Sequence, residues 1–592
     1  MTEAATASNG VLFGKSWGGP PSSADLDGAR SLAQEAGLTL TAARLLRSRG
    51  FADAAAVRAF LQPRLDSLHS PLLLKGMEEA VARIRRALRA SEPVWIFGDY
   101  DVDGTAGTAL LADFFSVLGK PARTHIPNRN DGYGLSVAAM RRLAGLGAKV
   151  VITVDNGISA HEVAREARSL GIDLVITDHH ESKEGLPEAA AVIDPKQPGC
   201  AYPNKGLCGA GLAFKLAWGI AQGLSDGARV RDDLREFLME AVGLATLATV
   251  ADVVPLVGEN RVIVHHGLPV LERSRKPGFA ALREVCRQRG ASLTATDVAF
   301  QWAPRINAAG RLAGPEIALE LLTTRDPARA RELAAEIDRL NVRRRELDRE
   351  ATEQAILQAL EAPGGTDGAI IVSSEAWHRG IVGIVAGRLV DEFGVPVVAI
   401  SWHDPLFEKE GTGSVRGPEG VDLVAALDAA SAHLVRHGGH ARAAGLTIRR
   451  GEEGAFREAF REAVRSQGVP AHVAASPDME VVPGELEPRL HAEVSRMAPF
   501  GAGNPRPLLS VTGAEVAGKV RTFGSRGDHL EFYLRSGTTG VRAISWRNGA
   551  HVGTVSRAGG PFDLLAHVGE REGRLGALEI EVVAMRLAAG RA

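Results

Sequence analysis

Val94-Trp95-Ile96-Phe97-Gly98-Asp99-Tyr100-Asp101-Val102-Asp103-Gly104 is the stretch from which the fold can be read. The four-residue apolar run reads as a buried strand. Three carboxylates follow at alternate positions, and a glycine closes the series. Carboxylates this close repel one another and stay together only where cations or strong donors neutralise them. Hard divalent ions, which take oxygen ligands, are the usual solution.

Working outward, the theme recurs. Residues 76–90 have the apolar period of an amphipathic helix (Val81, Ile84, Leu88) leading into the first strand. Further strands are expected at 150–154, 174–177 and 190–193, with a helix at 161–170. Such alternation argues for a parallel sheet with helices on both faces. Asp155, in Val154-Asp155-Asn156-Gly157, ends the second strand, and Asp178-His179-His180 end the third. Ligands of open α/β sheets bind beyond the carboxyl ends of the strands. Asp252 is a lone acid in the apolar segment 244–257, where it needs a cation or strong donors. Taken singly, each aspartate is an ordinary cap or turn former. Three such clusters in one α/β unit point instead to a metal centre.

Composition sets the frame. The chain has 592 residues, 45% hydrophobic and 24% charged, with a formal charge of −2. That length calls for several domains. Near-neutrality excludes a whole-surface nucleic-acid binder, so any anion-binding surface is local. Cys200, Cys208 and Cys286 match no zinc spacing and imply reduced thiols and a cytoplasmic setting. Residues 1–10 lack a basic region followed by an apolar run, so no signal peptide is expected. No segment has the length and apolarity of a membrane span.

The remaining chain divides by texture. Residues 1–75 read as a helical leader and 76–326 as the first α/β domain. Residues 327–362 form a long connecting helix rich in arginine around 343–349. A second α/β domain spans 363–467, with strands at 369–372 and 397–400, a helix at 382–393, and glycine-rich patches at 411–417 and 438–445. Residues 468–592 alternate in short segments (508–511, 530–534, 541–545, 562–566, 578–583), the texture of a small all-β barrel or sandwich. Phe532, Tyr533, Trp546 and Arg547 are its candidate strand-contacting side chains, although barrel aromatics commonly fill the core.

Gly98 to Gly104, Asp155-Asn156-Gly157, Asp178-His179-His180 and Asp252 resemble the four acidic motifs of the DHH phosphoesterases. Pro304-Arg305-Ile306-Asn307-Ala308-Ala309-Gly310-Arg311-Leu312 is similar to a segment of the RecJ exonuclease branch. Trp377 to Ala386, Gly413-Ser414-Val415-Arg416 and Gly438-Gly439-His440 resemble the associated DHHA1 domain, and Pro499 to Pro505 the lead-in to an OB domain. The resemblance implies two α/β domains (a parallel-sheet DHH domain and a DHHA1 domain) joined by a long helix, plus a C-terminal OB-like barrel.

It also implies an activity: 5′-to-3′ exonucleolytic hydrolysis of single-stranded DNA in recombination and repair, with Mn²⁺ or Mg²⁺, in two ions, as cofactor. Asp103, Asp155, His179 and Asp252 match one metal site, and Asp101 a second that shares Asp155. His180 matches a residue facing the scissile phosphate, and Asp99 and Arg311 are further catalytic candidates. Ser414 and Arg416 match a terminal-phosphate pocket, with Arg129, Arg305 and His440 as further substrate contacts. Phe97 stands where the pyrophosphatase branch has a histidine, which implies a weaker hold on the first ion. A single-strand-binding protein or a helicase is the implied protein partner. The resemblance ends with the OB-like region, so contacts made by a further domain in some members are not expected. A small-substrate phosphodiesterase of the same superfamily and a non-catalytic DNA-binding scaffold are the competing readings. The length and OB-like tail oppose the first, and the complete acid and histidine set the second.

Overall fold

The structure, a computed structural model, describes residues 11–19, 25–128, 134–182, 185–225, 229–286, 292–362, 365–366, 368–403, 409–468, 476–536, 539–570 and 578–588. The first α/β unit is a five-stranded parallel sheet. Its order is Arg123–His125, Val94–Phe97, Val150–Thr153, Asp173–Thr177 and Ala191–Ile193. Strand residues alternate between two cores. Val94 and Ile96 face one that includes Phe114 and Leu216, while Trp95 and Phe97 face another that includes Met140 and Val163. Burial on both faces explains the apolar runs of Val94–Phe97, Val150–Thr153 and Asp173–Thr177, whereas the edge strand Arg123–His125 is polar, partly exposed and not announced by the sequence. Phe97 is a core residue, with its ring edge-on to His125.

The helix Pro327–Glu361 runs from this unit to the second. There the strand order is Leu434–His440, Ala443–Arg449, Glu410–Arg416, Val397–His403 and Ile370–His378. The last two are parallel and the others antiparallel. The glycine-rich patches are therefore strands. A Cβ at Gly411 would lie 2.7 Å from the Trp402 ring, and one at Gly413 2.8 Å from Leu446 Cδ1. These two glycines serve close packing across the sheet, not turns.

The C-terminal region is an eight-stranded sheet that traces an open path among the described residues. Two of its strands, Met479–Val481 and Val516–Phe523, were not expected from the sequence. A third, Val11–Phe13, comes from the leader and pairs antiparallel with Leu578–Leu587. The leader helices Leu26–Ala36, Leu40–Ser48 and Ala54–Leu61 bury Leu32, Leu45, Leu46 and Val57 in one core with Leu509, Phe532 and Leu564. The leader is thus structurally part of the C-terminal unit. No helix among the described residues is long and apolar enough to cross a membrane.

Candidate metal centre

Three strand ends and one helix end converge. Asp99 and Asp101 follow strand Val94–Phe97, and Asp101 caps helix Val102–Val117 by accepting from the Asp103 and Gly104 amides. Asp103 lies in the first turn of that helix. Asp155 follows strand Val150–Thr153 in a left-handed conformation (φ 64°), which aspartate tolerates better than most residues. His179 and His180 follow strand Asp173–Thr177, and Asp252 ends helix Asp232–Ala251.

Donor atoms of Asp103, His179 and Asp252 lie within 4.8 Å of one another, and so do those of Asp99, Asp101 and Asp155. A third grouping, Asp155 with His179 and His180, joins them. His179 Nε2 is 3.0 Å from Asp155 Oδ1 and 3.7 Å from both Asp103 Oδ2 and Asp252 Oδ2.

The residues fit metal ions. Although 3.0 Å apart, Asp155 Oδ1 and His179 Nε2 form no hydrogen bond with each other or with another group among the described residues and are sealed from solvent, a state that buried polar atoms avoid unless something else satisfies them. Burial and the Asp101 carboxylate push Asp103 up to about 7. Burial and the Asp103 and Asp101 carboxylates push Asp252 up to about 8. Asp155 is raised for the same reasons, by burial and then by its acidic neighbours. Burial lowers His179 to about 3, so it is a neutral imidazole ready to ligate. Cations would remove the repulsion that raises the carboxylates.

Two supporting features were invisible in sequence. Both carboxylate oxygens of Asp103 accept backbone N–H groups, from Gly209 at 2.6 Å and Ala210 at 2.7 Å, at the start of helix Gly209–Gly223. A Cβ at Gly209 would stand 2.5 Å from the Asp155 Cβ, so only glycine lets that helix approach. Asp178 is the second feature. Its Oδ1 accepts from His180 Nδ1 at 2.7 Å and from the His179 amide, and its Oδ2 accepts from the Ile158 amide. Burial opposes the charge on Asp178, yet the His180 hydrogen bond holds its carboxyl below the usual range. Burial likewise opposes protonation of His180, and Asp178 outweighs it. Asp178 thus fixes the His180 ring and leaves Nε2 on the opposite edge.

The other candidates are spread more widely. His440, from the second α/β unit, stacks on His180. Arg311 donates to the Gly380 carbonyl at 2.8 Å, across the junction of the two units. Arg416 donates to Ser414 Oγ at 2.9 Å and the Val415 carbonyl at 2.8 Å, with no carboxylate in ion-pair range among the described residues. Gly383, in the first turn of helix Val382–Phe393, faces this pair. A Cβ there would lie 3.0 Å from Ser414 Oγ and 3.2 Å from Arg416 Nη2. Arg305 is engaged by Asp338 of the connecting helix at 2.9 Å and by the Gln301 carbonyl. Arg129 lies outside the described residues. In the C-terminal sheet Phe532 is wholly core, whereas Trp546 is 47% exposed and packs edge-on against Phe523 and His529.

Comparison with known proteins places this geometry. Residues 93–246 match the DHH family, N-terminal domain, 367–466 the DHHA1 domain, and 477–574 the RecJ OB domain. The single-stranded-DNA-specific exonuclease RecJ of Dickeya dadantii is 37% identical over 68% of this chain and 72% of its own length. This chain belongs to the RecJ family. The Bacillus subtilis RecJ is 35% identical over 89% of this chain, which spans 65% of that relative's length. The crystal structure of RecJ in complex with Mn²⁺ from Thermus thermophilus superposes with a TM-score of 0.79 at 31% identity. It covers 96% of this chain and 79% of that one. The RecJ architecture accounts for the order of the matched segments: DHH unit, DHHA1 unit, OB domain.

Proposed function

We propose that this chain is a metal-dependent exonuclease that releases mononucleotides from the 5′ end of single-stranded DNA. The observation that carries the reading is the pair of donor clusters flanking Asp155 beyond the carboxyl ends of parallel strands. We assign Asp103, Asp155, His179 and Asp252 to one ion, and Asp99, Asp101 and Asp155 to a second. Mixed carboxylate and imidazole donors suit Mn²⁺, and Mg²⁺ is the cellular alternative. Two ions held there would supply an activated water and stabilisation of the leaving oxygen of a phosphodiester.

The chain's own groups do the rest. His180, braced by Asp178, holds or moves a proton at Nε2 beside the scissile phosphate. Ser414, Arg416 and the glycine-faced helix start at Gly383 form a pocket for the 5′-terminal phosphate, with Arg416 as charge-assisted donor. Arg311, through Gly380, holds that unit in register with the first. The strand beyond the scissile bond reaches the OB domain, where the exposed Trp546 offers a stacking surface. The RecJ relatives, which are single-stranded-DNA-specific, support this substrate. A helicase or single-strand-binding protein would present the strand, in a cytoplasmic setting that keeps the free thiols of Cys208 and Cys286 reduced.

The test is digestion of single-stranded DNA labelled at either end, with and without Mn²⁺. Mn²⁺-dependent release of mononucleotides from the 5′ label alone is expected. Digestion from the 3′ end, or of short oligonucleotides only, would move the assignment to a small-substrate phosphodiesterase. Binding without hydrolysis would make the chain a scaffold.

A further inference from the structure

Arg261, in helix Gly258–Arg273, is buried and has no carboxylate in ion-pair range among the described residues. Its guanidinium makes five hydrogen bonds, all to backbone carbonyls. One, at 2.9 Å, is Phe60 of the leader, whose ring also lies 3.9 Å beneath the guanidinium. The other four are consecutive, Arg496 to Pro499, at the lead-in to the OB domain. Asn504 braces the same turn by donating to the Met497 and Pro499 carbonyls, and Arg49 donates to Asn504 Oδ1. A planar fork with five donors can satisfy such an array, and a lysine cannot.

The segment so clamped rests on the loop that carries Asp252. The Leu256 amide donates to the Ala502 carbonyl at 2.7 Å. Gly501 and Gly503 lie against Leu256 and Pro255, so close that added Cβ atoms would stand 2.7 Å from Leu256 Cδ1 and 2.9 Å from Pro255 Cβ. Three residues before Leu256, Val253 takes a left-handed conformation (φ 58°), which is costly for a β-branched residue and persists only where surroundings impose it. Asp252 precedes it, with Oδ2 3.7 Å from His179 Nε2.

We infer that Arg261 is a positioning residue for the metal centre. By clamping residues 496–499 it presses the turn at 501–503 onto the 253–257 loop and so holds the Asp252 carboxylate toward His179. The seat of the strand-binding domain and one wall of the metal centre are then a single construction, and loosening the first loosens the second. This inference rests on the proposed role of Asp252 as a ligand.

The experiment measures Mn²⁺ affinity of the full chain without DNA, for wild type, Asp252→Asn, Arg261→Lys and Gly501→Ala. Gly501→Ala disturbs the seat from the OB side and leaves Arg261 intact. Both seat variants should weaken Mn²⁺ binding about tenfold, within the range for groups that orient metal ligands. On a dinucleotide too short to reach the OB domain, kcat should fall with little change in KM. Amide exchange on the wild type provides a readout that needs no variant: Mn²⁺ should slow exchange at Leu256, and Asp252→Asn should remove that effect, because coupling between sites is reciprocal. If Asp252→Asn weakens Mn²⁺ while the seat variants and Leu256 exchange do not respond, the positioning role is overturned and the ligand assignment stands. If Asp252→Asn leaves Mn²⁺ affinity unchanged, both fall.

Discussion

His440 lies flat over His180, with ring centroids 6.0 Å apart and planes within 6° of parallel. The two come from different α/β units, so in the proposed active cleft a residue of the second unit forms a roof over His180. Removing the roof with His440→Ala should cost about 0.5–1.5 kcal/mol of aromatic contact, at most about tenfold in rate. His180→Ala should lose about 10²–10⁴-fold, the usual range for a proton-transfer group. The double variant should match His180→Ala alone, because both changes act through one ring. Fully additive losses in a double-mutant cycle would place His440 in a separate role.

Asp155 stands between the two donor clusters. Asp155→Asn keeps the side-chain shape and the tolerance of its left-handed backbone while removing the charge. Turnover should fall at least about 10³-fold, since several kcal/mol of charge stabilisation depend on the ions held there. The metal-free protein should be no less stable than wild type, because a buried carboxylate repulsion is relieved. Circular-dichroism melting of the apoproteins checks the second half, and a strongly destabilised variant would count against it.

Metal should stabilise the fold. At a free Mn²⁺ concentration a hundred times its dissociation constant, linkage gives about 2.7 kcal/mol per site. Thermal unfolding in Mn²⁺ against chelator should therefore show a raised Tm in wild type. The rise should shrink in Asp103→Asn, where a ligand charge is lost and the single amide oxygen can keep only one of the N–H bonds from Gly209 and Ala210. An equal shift in both proteins would mean that Mn²⁺ acts elsewhere.

In the proposed pocket the half-buried Arg416 guanidinium binds the terminal phosphate. Its replacement by alanine removes a charge-assisted contact worth about 1.5–3 kcal/mol. Wild type should prefer 5′-phosphorylated over 5′-hydroxyl strands by about ten- to a hundredfold in kcat/KM, by the same arithmetic. Arg416→Ala should largely abolish that preference. An equal loss on both substrates would mean that Arg416 only supports the sheet.

The ion pair between Lys215 and Glu259 has both side chains wholly buried, with Tyr202 Oη also donating to Glu259 at 2.6 Å. Glu259→Gln leaves an unpaired buried ammonium and should cost about 3–5 kcal/mol. Lys215→Met with Glu259→Leu should cost less than the single change, since no charge is left buried. Denaturant midpoints compare the two.

The sequence alone determined four of the five strands of the first sheet, because buried parallel strands are apolar runs, and it located Asp99, Asp155 and Asp178, because each follows its strand within two residues. Residues 94–104 announce a strand, a cap and a cluster of acids within eleven positions, all governed by local geometry. The helix at 382–393 was likewise legible from its own period. What tertiary structure decided is what depends on partners far along the chain. Asp103 is held by amides 106 and 107 residues away, and no local pattern marks a backbone N–H as a donor to a carboxylate. Asp178 looks like one more acid at a strand end, and only the position of His180 makes it a brace. The glycines were the least readable. Gly413 is glycine because Leu446 presses on it, and Gly383 because Ser414 and Arg416 stand opposite. A glycine records that something is close without recording what. The leader strand Val11–Phe13 pairs with residues near the other end of the chain, where three residues offer too little local pattern to announce a strand and the ladder is supplied by its neighbour.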